Sequence, residues 1–165
     1  LKVYKGAIDK MPVNAKKFFI QDFTENFYLG QKYSLADSFL NSFGLTEKQK
    51  EGVLFWTAIR AMEYFTDPDG VTIWTEPWIA KMIVKSYKHF LERPEFKKTA
   101  EKGFLLEIGE IGFLDDLKKS QNYIDFGLIS GETLQKENVI AAIQDKTLQL
   151  LDNGYGETAA KIVDP

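Results

Sequence analysis

Phe19, Phe23 and Phe27 recur every four residues, with Ile20 beside them. This spacing lays one apolar stripe along a helix running from Pro12 to about Tyr28, with Gly30 as its stop. The chain holds 13 Phe, a side chain with no polar handle that gains most from full burial. Most of these rings must therefore line a core, a ligand cavity or a partner's footprint. At 165 residues the chain is long enough to bury a real core without staples.

The helical pattern continues along the chain. Ser34 suits an N-cap, Leu35, Phe39, Leu40 and Phe43 face inward, and Gly44 sits where a terminal glycine belongs. Thr46 and Gln49 form a capping box. The third helix that follows is apolar on nearly every side from Val53 to Phe65, which places it at the centre of the fold. Asp67-Pro68-Asp69-Gly70 turns the chain, and Val71 to Trp74 is only a bit of extended chain. Thr75 and Pro77 start a fourth helix, with Ile79, Ile83, Tyr87 and Phe90 on its apolar face and Lys81, Lys85 and Lys88 on another.

Pro94 restarts a helix after a corner. The pattern stays helical from Glu95 to Lys119, with a break expected near Gly109 because an interior glycine costs ~1 kcal/mol relative to Ala. Asn122 to Ser130 reads as loop or short strand, since Tyr123, Ile124, Phe126 and Ile129 favour extended structure. Leu134 to Asp152 forms the last clear helix, with Ile140, Ile143, Thr147, Leu150 and Leu151 on one face and Asn153-Gly154 as its stop. The expected architecture is all-α: a single domain over 1–165, built as an irregular bundle of six or seven helices with room for one short two-stranded β element. Residues 1–11 form an N-terminal arm, and 153–165 a C-terminal tail with a short helix.

Composition removes several functions. A net charge of −3 gives no general attraction to nucleic acid. Of 21 basic residues only Arg60 and Arg93 are arginine, the side chain best suited to phosphate and base recognition. With no Cys, disulfides, thiol nucleophiles and cysteine-bound metal centres are excluded. No apolar run approaches the ~18 to 20 residues that cross a bilayer. The chain begins at Leu1 rather than Met, which fits a water-soluble, processed extracytoplasmic or lumenal protein, or a trimmed one.

Catalytic constellations are missing. The lone His89 has no triad partner evident in the sequence, and the paired Glu-x-x-His motifs of a di-iron site do not occur. Glu107, Glu110, Asp115 and Asp116 are spaced so that two acids could flank a cleft, as glycoside hydrolysis requires. Asp67 to Gly70 lacks the offsets of a calcium loop, and Gly109 to Gly112 and Gly154 to Gly156 follow no strand that would make them phosphate cradles. Residues 81–102 are rich in Lys and Arg, whereas 103–117 hold acids and no base, a layout that would orient a charged partner.

The run Phe39-Leu40-Asn41-Ser42-Phe43-Gly44 resembles the segment around the haem-contacting phenylalanine of globins, and His89 follows Phe43 at a distance similar to that of the family's proximal histidine. The resemblance would imply a haem site. Pro94 and Phe96 depart from the family's next loop, and there is no second histidine, so the family is not adopted and no cofactor is expected. The expectation is instead a non-enzymatic helical module that docks on a protein partner through aromatic-rich surface, with Trp74, Trp78, Lys81, Lys85 and Lys88 as the contact residues. A helical carrier of an apolar ligand such as a lipid or pigment is the alternative. A hydrolase using a carboxylate pair is the third.

Overall fold

The structure, a computed structural model, describes residues 2–63, 65–66, 72–73, 76–111 and 117–163. Ten α-helices and one 3₁₀ turn make up most of these residues, so the fold class is all-α. Six or seven helices were expected. The surplus comes from helices of one or two turns, too short for apolar periodicity to show. The described residues gather into two compact units, 1–61 and 62–165.

The first unit contains α1 (Lys2–Asp9), α2 (Val13–Leu29), α3 (Tyr33–Ser42) and α4 (Glu47–Ala61). Helix α2 packs against both α3 and α4. Phe39 of α3 is only 1% exposed. The rings of Phe19, Phe23, Phe27 and Phe43 lie around it, with centroids 6.4, 5.7, 5.4 and 4.9 Å away. These separations fall in the range where aromatic pairs attract beyond simple burial. The phenylalanine stripe of α2 is thus the seat for α3, while Phe18, one residue off the stripe, is exposed.

Several local expectations for this unit change. The N-terminal arm is helical from Lys2 to Asp9, and Ile8 is buried. So short a helix is held by its packing rather than by its own propensity. Helix α3 starts one residue before Ser34, with Lys32 at the cap position, and Leu35 faces out. The capping box at α4 does form: the Thr46 N–H donates to Gln49 Oε1 at 2.9 Å, and the Gln49 N–H to Thr46 Oγ1 at 3.3 Å. Its helix buries Leu54, Phe55, Ala58 and Ile59 but ends at Ala61, short of Phe65.

Helix α2 closes with a paired terminal motif. The Lys32 N–H donates to the Phe27 carbonyl at 2.8 Å and the Gln31 N–H to the Tyr28 carbonyl at 2.9 Å. The residue in the left-handed region is Gln31, at φ +54°, and not Gly30. Helices more often place glycine there, where a side chain is strained.

The second unit contains β1 (Phe65–Thr66), β2 (Thr72–Ile73), α5 (Pro77–Ser86), a 3₁₀ turn (Lys88–Glu92), α6 (Pro94–Glu110), α7 (Leu117–Asp125), α8 (Gly131–Leu134), α9 (Glu137–Asp152) and α10 (Gly156–Val163). The strands pair antiparallel with Phe65 opposite Ile73. Two residues each is too short to form a layer. Helix α6 organises the unit, because the 3₁₀ turn, α7 and α9 all pack on it. Its Phe96, Ala100, Phe104 and Ile108, spaced four apart, are buried. The helix ends at Glu110, where the break near Gly109 was expected.

Asn122 to Asp125, expected as loop or strand, belongs to α7. Tyr123 is fully buried at this point, and tertiary burial outweighs the weak intrinsic preference of the segment for extended backbone. Gly127, at φ +65°, then ends the helix, and Ser130 caps α8 by accepting from the Thr133 N–H at 3.3 Å.

Candidate functional site

Helices α7 and α9 both pack on α6. An open groove of about 1340 Å³ is lined by all three, with Leu134 of α8 and Ile162 of α10 contributing apolar surface. Phe104 and Ile108 of α6, both buried, form its base. Helix α7 contributes Leu117, Ser120, Gln121 and Ile124, and α9 contributes Ile140, Ile143, Gln144, Thr147 and Leu148. The α9 positions are the i, i+3, i+4, i+7 and i+8 set of one helical face.

That face explains how the groove arises. Leu150 and Val139 turn into the unit and are buried, yet Ile140 is 41% and Leu148 60% exposed. Helix α9 therefore carries more apolar surface than its neighbours cover. The sequence pattern puts Ile140, Ile143 and Thr147 on one face of this helix together with Leu150 and Leu151, and gives Leu148 no such place. The available signal was the breadth of the apolar arc: positions 140, 143, 147, 148, 150 and 151 wrap round more of the helix than one packing partner covers.

Polar residues border the trough. Lys118, Asn122 and Asp125 of α7 and Lys161 of α10 line it, and the Gln121 side-chain amide donates to Asp125 Oδ1 at 2.9 Å. Lys161 Nζ lies 3.5 Å from Glu157 Oε1. The groove is thus apolar at its base and polar along its edges.

The residues expected to contact a partner lie elsewhere. Trp74 is outside the described residues. Trp78 is half-buried, and its indole N–H donates to Glu76 Oε2 at 2.5 Å. Lys81 holds its ammonium 3.8 Å from the centre of the Phe126 ring, a cation–π contact. Lys85 and Lys88 are exposed. None of these four described residues lines the groove.

The carboxylates of the hydrolase reading do not converge among the described residues. Glu107 is buried at 2% exposure, Glu110 on the same helix is exposed, and neither lines the groove. Asp115 and Asp116 lie outside the described residues. His89 is exposed on the 3₁₀ turn, with its ring 4.8 Å from that of Phe90. Among the described residues no cluster of His, Asp and Glu could hold a metal ion, and no helix is long and apolar enough to cross a membrane.

A charge cluster lies in the first unit. Arg60 of α4 places one guanidinium nitrogen 2.6 Å from Asp22 Oδ1 and its Nε 3.3 Å from Glu25 Oε2, both on α2. Burial pushes the Glu25 carboxyl above its usual value, against the lowering effect of Arg60, and the nearby Asp22 adds to the rise. The cluster ties α2 to α4. No family model, curated protein or solved structure matches the chain.

Proposed function

We propose that the chain is a non-enzymatic helical binding module that receives an amphipathic helix of a protein partner in the groove lined by α7 and α9. The observation that carries this reading is the uncovered face of α9, where Ile140, Ile143, Thr147 and Leu148 stand above a base of Phe104 and Ile108. Helix-in-groove recognition works through anchors at this same i, i+3, i+4, i+7 spacing on the incoming segment. Exposed apolar surface costs roughly 25 cal/mol per Å², so a partner that covers it is stabilised by the contact. The volume of about 1340 Å³ also exceeds the ~300–1,000 Å³ usual for small-molecule sites. A polar border around an apolar centre is the common anatomy of a protein interface.

A displayed library of amphipathic helical peptides tests this reading, with the contact surface of any binder mapped by amide chemical-shift changes in the full chain. Binders are expected to perturb α7 and α9 and to lose affinity against Leu148→Glu. Perturbations confined to other helices, or no binder at all, would overturn it.

An apolar small ligand is the second reading, favoured by the buried Phe104 and Ile108 at the base of the groove. Native mass spectrometry of the purified chain would then show a bound mass that Ile143→Glu removes.

A further inference from the structure

The first unit contains a cavity of its own, and nothing about it depends on the groove. It has a volume of about 500 Å³, inside the ~300–1,000 Å³ range of small-molecule sites. Ile20 of α2, Phe43 and Leu45 of the α3–α4 connection, and Val53 and Trp56 of α4 make it apolar.

The polar residues on its wall all come from α2, apart from Gln49, which is held in the capping box. Lys16 and Lys17 line the cavity, and no acid does. Lys16 is committed, with Nζ 2.9 Å from Asp9 Oδ1. Lys17 is exposed and has no ion-pair partner among the described residues. Gln21, one turn further along the same face, is 7% exposed and makes no hydrogen bond to the described residues. Its amide atoms stay solvent-accessible at the cavity wall, so they are free to donate to a bound acceptor.

Gly52 supplies an independent observation. It sits inside α4, where glycine is destabilising relative to alanine. It also lines this cavity, and a Cβ added there would meet nothing within 4 Å. Neither backbone conformation nor close packing requires a glycine at this position. Its effect is to keep the cavity open.

We propose that this cavity binds a single fatty carboxylate, with the alkyl chain between α2 and α4 and the carboxylate received by the Lys17 ammonium and the Gln21 amide. A carboxylate offers two acceptor oxygens to two donors one helical turn apart, which is the pairing that an uncharged or cationic amphiphile cannot make.

Calorimetric titration of the full chain with dodecanoate, dodecanol and dodecyltrimethylammonium, each below its micelle concentration, tests the proposal. Dodecanoate is expected to bind one to one and at least about tenfold tighter than the other two, the size of a charge-assisted hydrogen bond. Lys17→Glu should weaken it by about tenfold or more. Gly52→Leu, which fills the cavity, should abolish binding without lowering the melting temperature. Equal affinity for the three amphiphiles, undiminished binding by Gly52→Leu, no binding of dodecanoate, or binding to anionic phospholipid vesicles alone would each overturn it. Should Gly52→Leu fail to fold, Lys17→Glu on the surface still decides the matter.

Discussion

Gly103 of α6 lies so close beneath the ring of Tyr123 on α7 that a methyl group at residue 103 would collide with the Tyr123 hydroxyl and stand 2.7 Å from the Met62 carbonyl oxygen. Gly103→Ala is therefore expected to destabilise the chain by about 1–3 kcal/mol, as overpacking does. This would outweigh the ~1 kcal/mol that alanine offers in a helix interior. Denaturant unfolding measures the change. Adding Tyr123→Phe should restore part of the loss, and an unchanged midpoint in the single variant would contradict the close approach.

Gln31 holds a left-handed conformation at the end of α2 that glycine holds at the ends of α3, α7 and α9, where Gly44, Gly127 and Gly154 have φ of +62°, +65° and +82°. A left-handed residue with a side chain costs roughly 1–2 kcal/mol. Gln31→Gly, with part of that relief lost to the freer unfolded chain, should raise stability by roughly 0.5–1 kcal/mol. Gly154→Ala should lower it. Thermal melts of the two variants are expected to move in opposite directions.

Phe39 and Phe18 separate core from surface within one unit. Four rings surround Phe39, so Phe39→Ala should cost about 3–5 kcal/mol. Phe18, 62% exposed, should change stability by no more than about 0.5 kcal/mol when replaced by alanine. Comparable losses at both positions would mean that the α2 stripe does not pack as described.

Glu25 and Glu101 should show opposite dependence on pH. Burial raises the folded-state pKa of Glu25 above its ordinary 4.5. Its contribution is fully present below the unfolded value and is lost as pH rises through the folded value. Glu101 is lowered, chiefly by the hydrogen bond from Lys136; desolvation opposes this, and the Asn138 amide at 3.2 Å lowers it further. Its contribution is present above the unfolded value and is lost as pH falls through the folded one. Glu25→Gln is expected to stabilise near neutral pH, with no gain in acid. Glu101→Gln should destabilise slightly near neutral pH, with no loss in acid, and added salt should shrink its effect because that pair is partly exposed.

Leu148 and Ile140 face the groove and are exposed, so lysine at either position should shift stability by no more than about 0.5 kcal/mol. The same changes should reduce binding of an apolar fluorescent dye such as anilinonaphthalene sulfonate, because they remove the apolar wall contributed by α9. A large loss of stability with dye binding unchanged would place these side chains in the core.

Much of the local architecture was legible. The Phe19, Phe23 and Phe27 stripe, the capping box of Thr46 and Gln49, the end of α6 just past Gly109 and the stop at Gly154 all depend on residues within a turn or two of one another. The misreadings fall where distant contacts intervene. Asn122 to Asp125 is helical because Tyr123 is buried, and Lys2 to Asp9 forms a helix around the anchor of Ile8. Gly103 sits inside α6, where glycine is costly, and makes room there for a ring twenty residues away.

The candidate sites were less legible than the fold. Trp78 and the lysines at 81, 85 and 88 were selected by residue type, and residue type does not reveal which surfaces a neighbour covers. The groove depends on α7 and α9 both lying on α6, and the smaller cavity on the space opposite Gly52. Neither relationship is carried by any short run of residues.

Spacing and caps by themselves determined that the chain is helical and where many of its helices end, since the hydrogen bonds and terminal motifs of a helix close over three to five residues. Only the tertiary structure decided which apolar faces become core and which stay open. Leu148 and Leu150 are two residues apart on α9, yet one is 60% exposed and the other 3%. Burial depends on what packs from elsewhere in the chain, and that is not written next to either leucine.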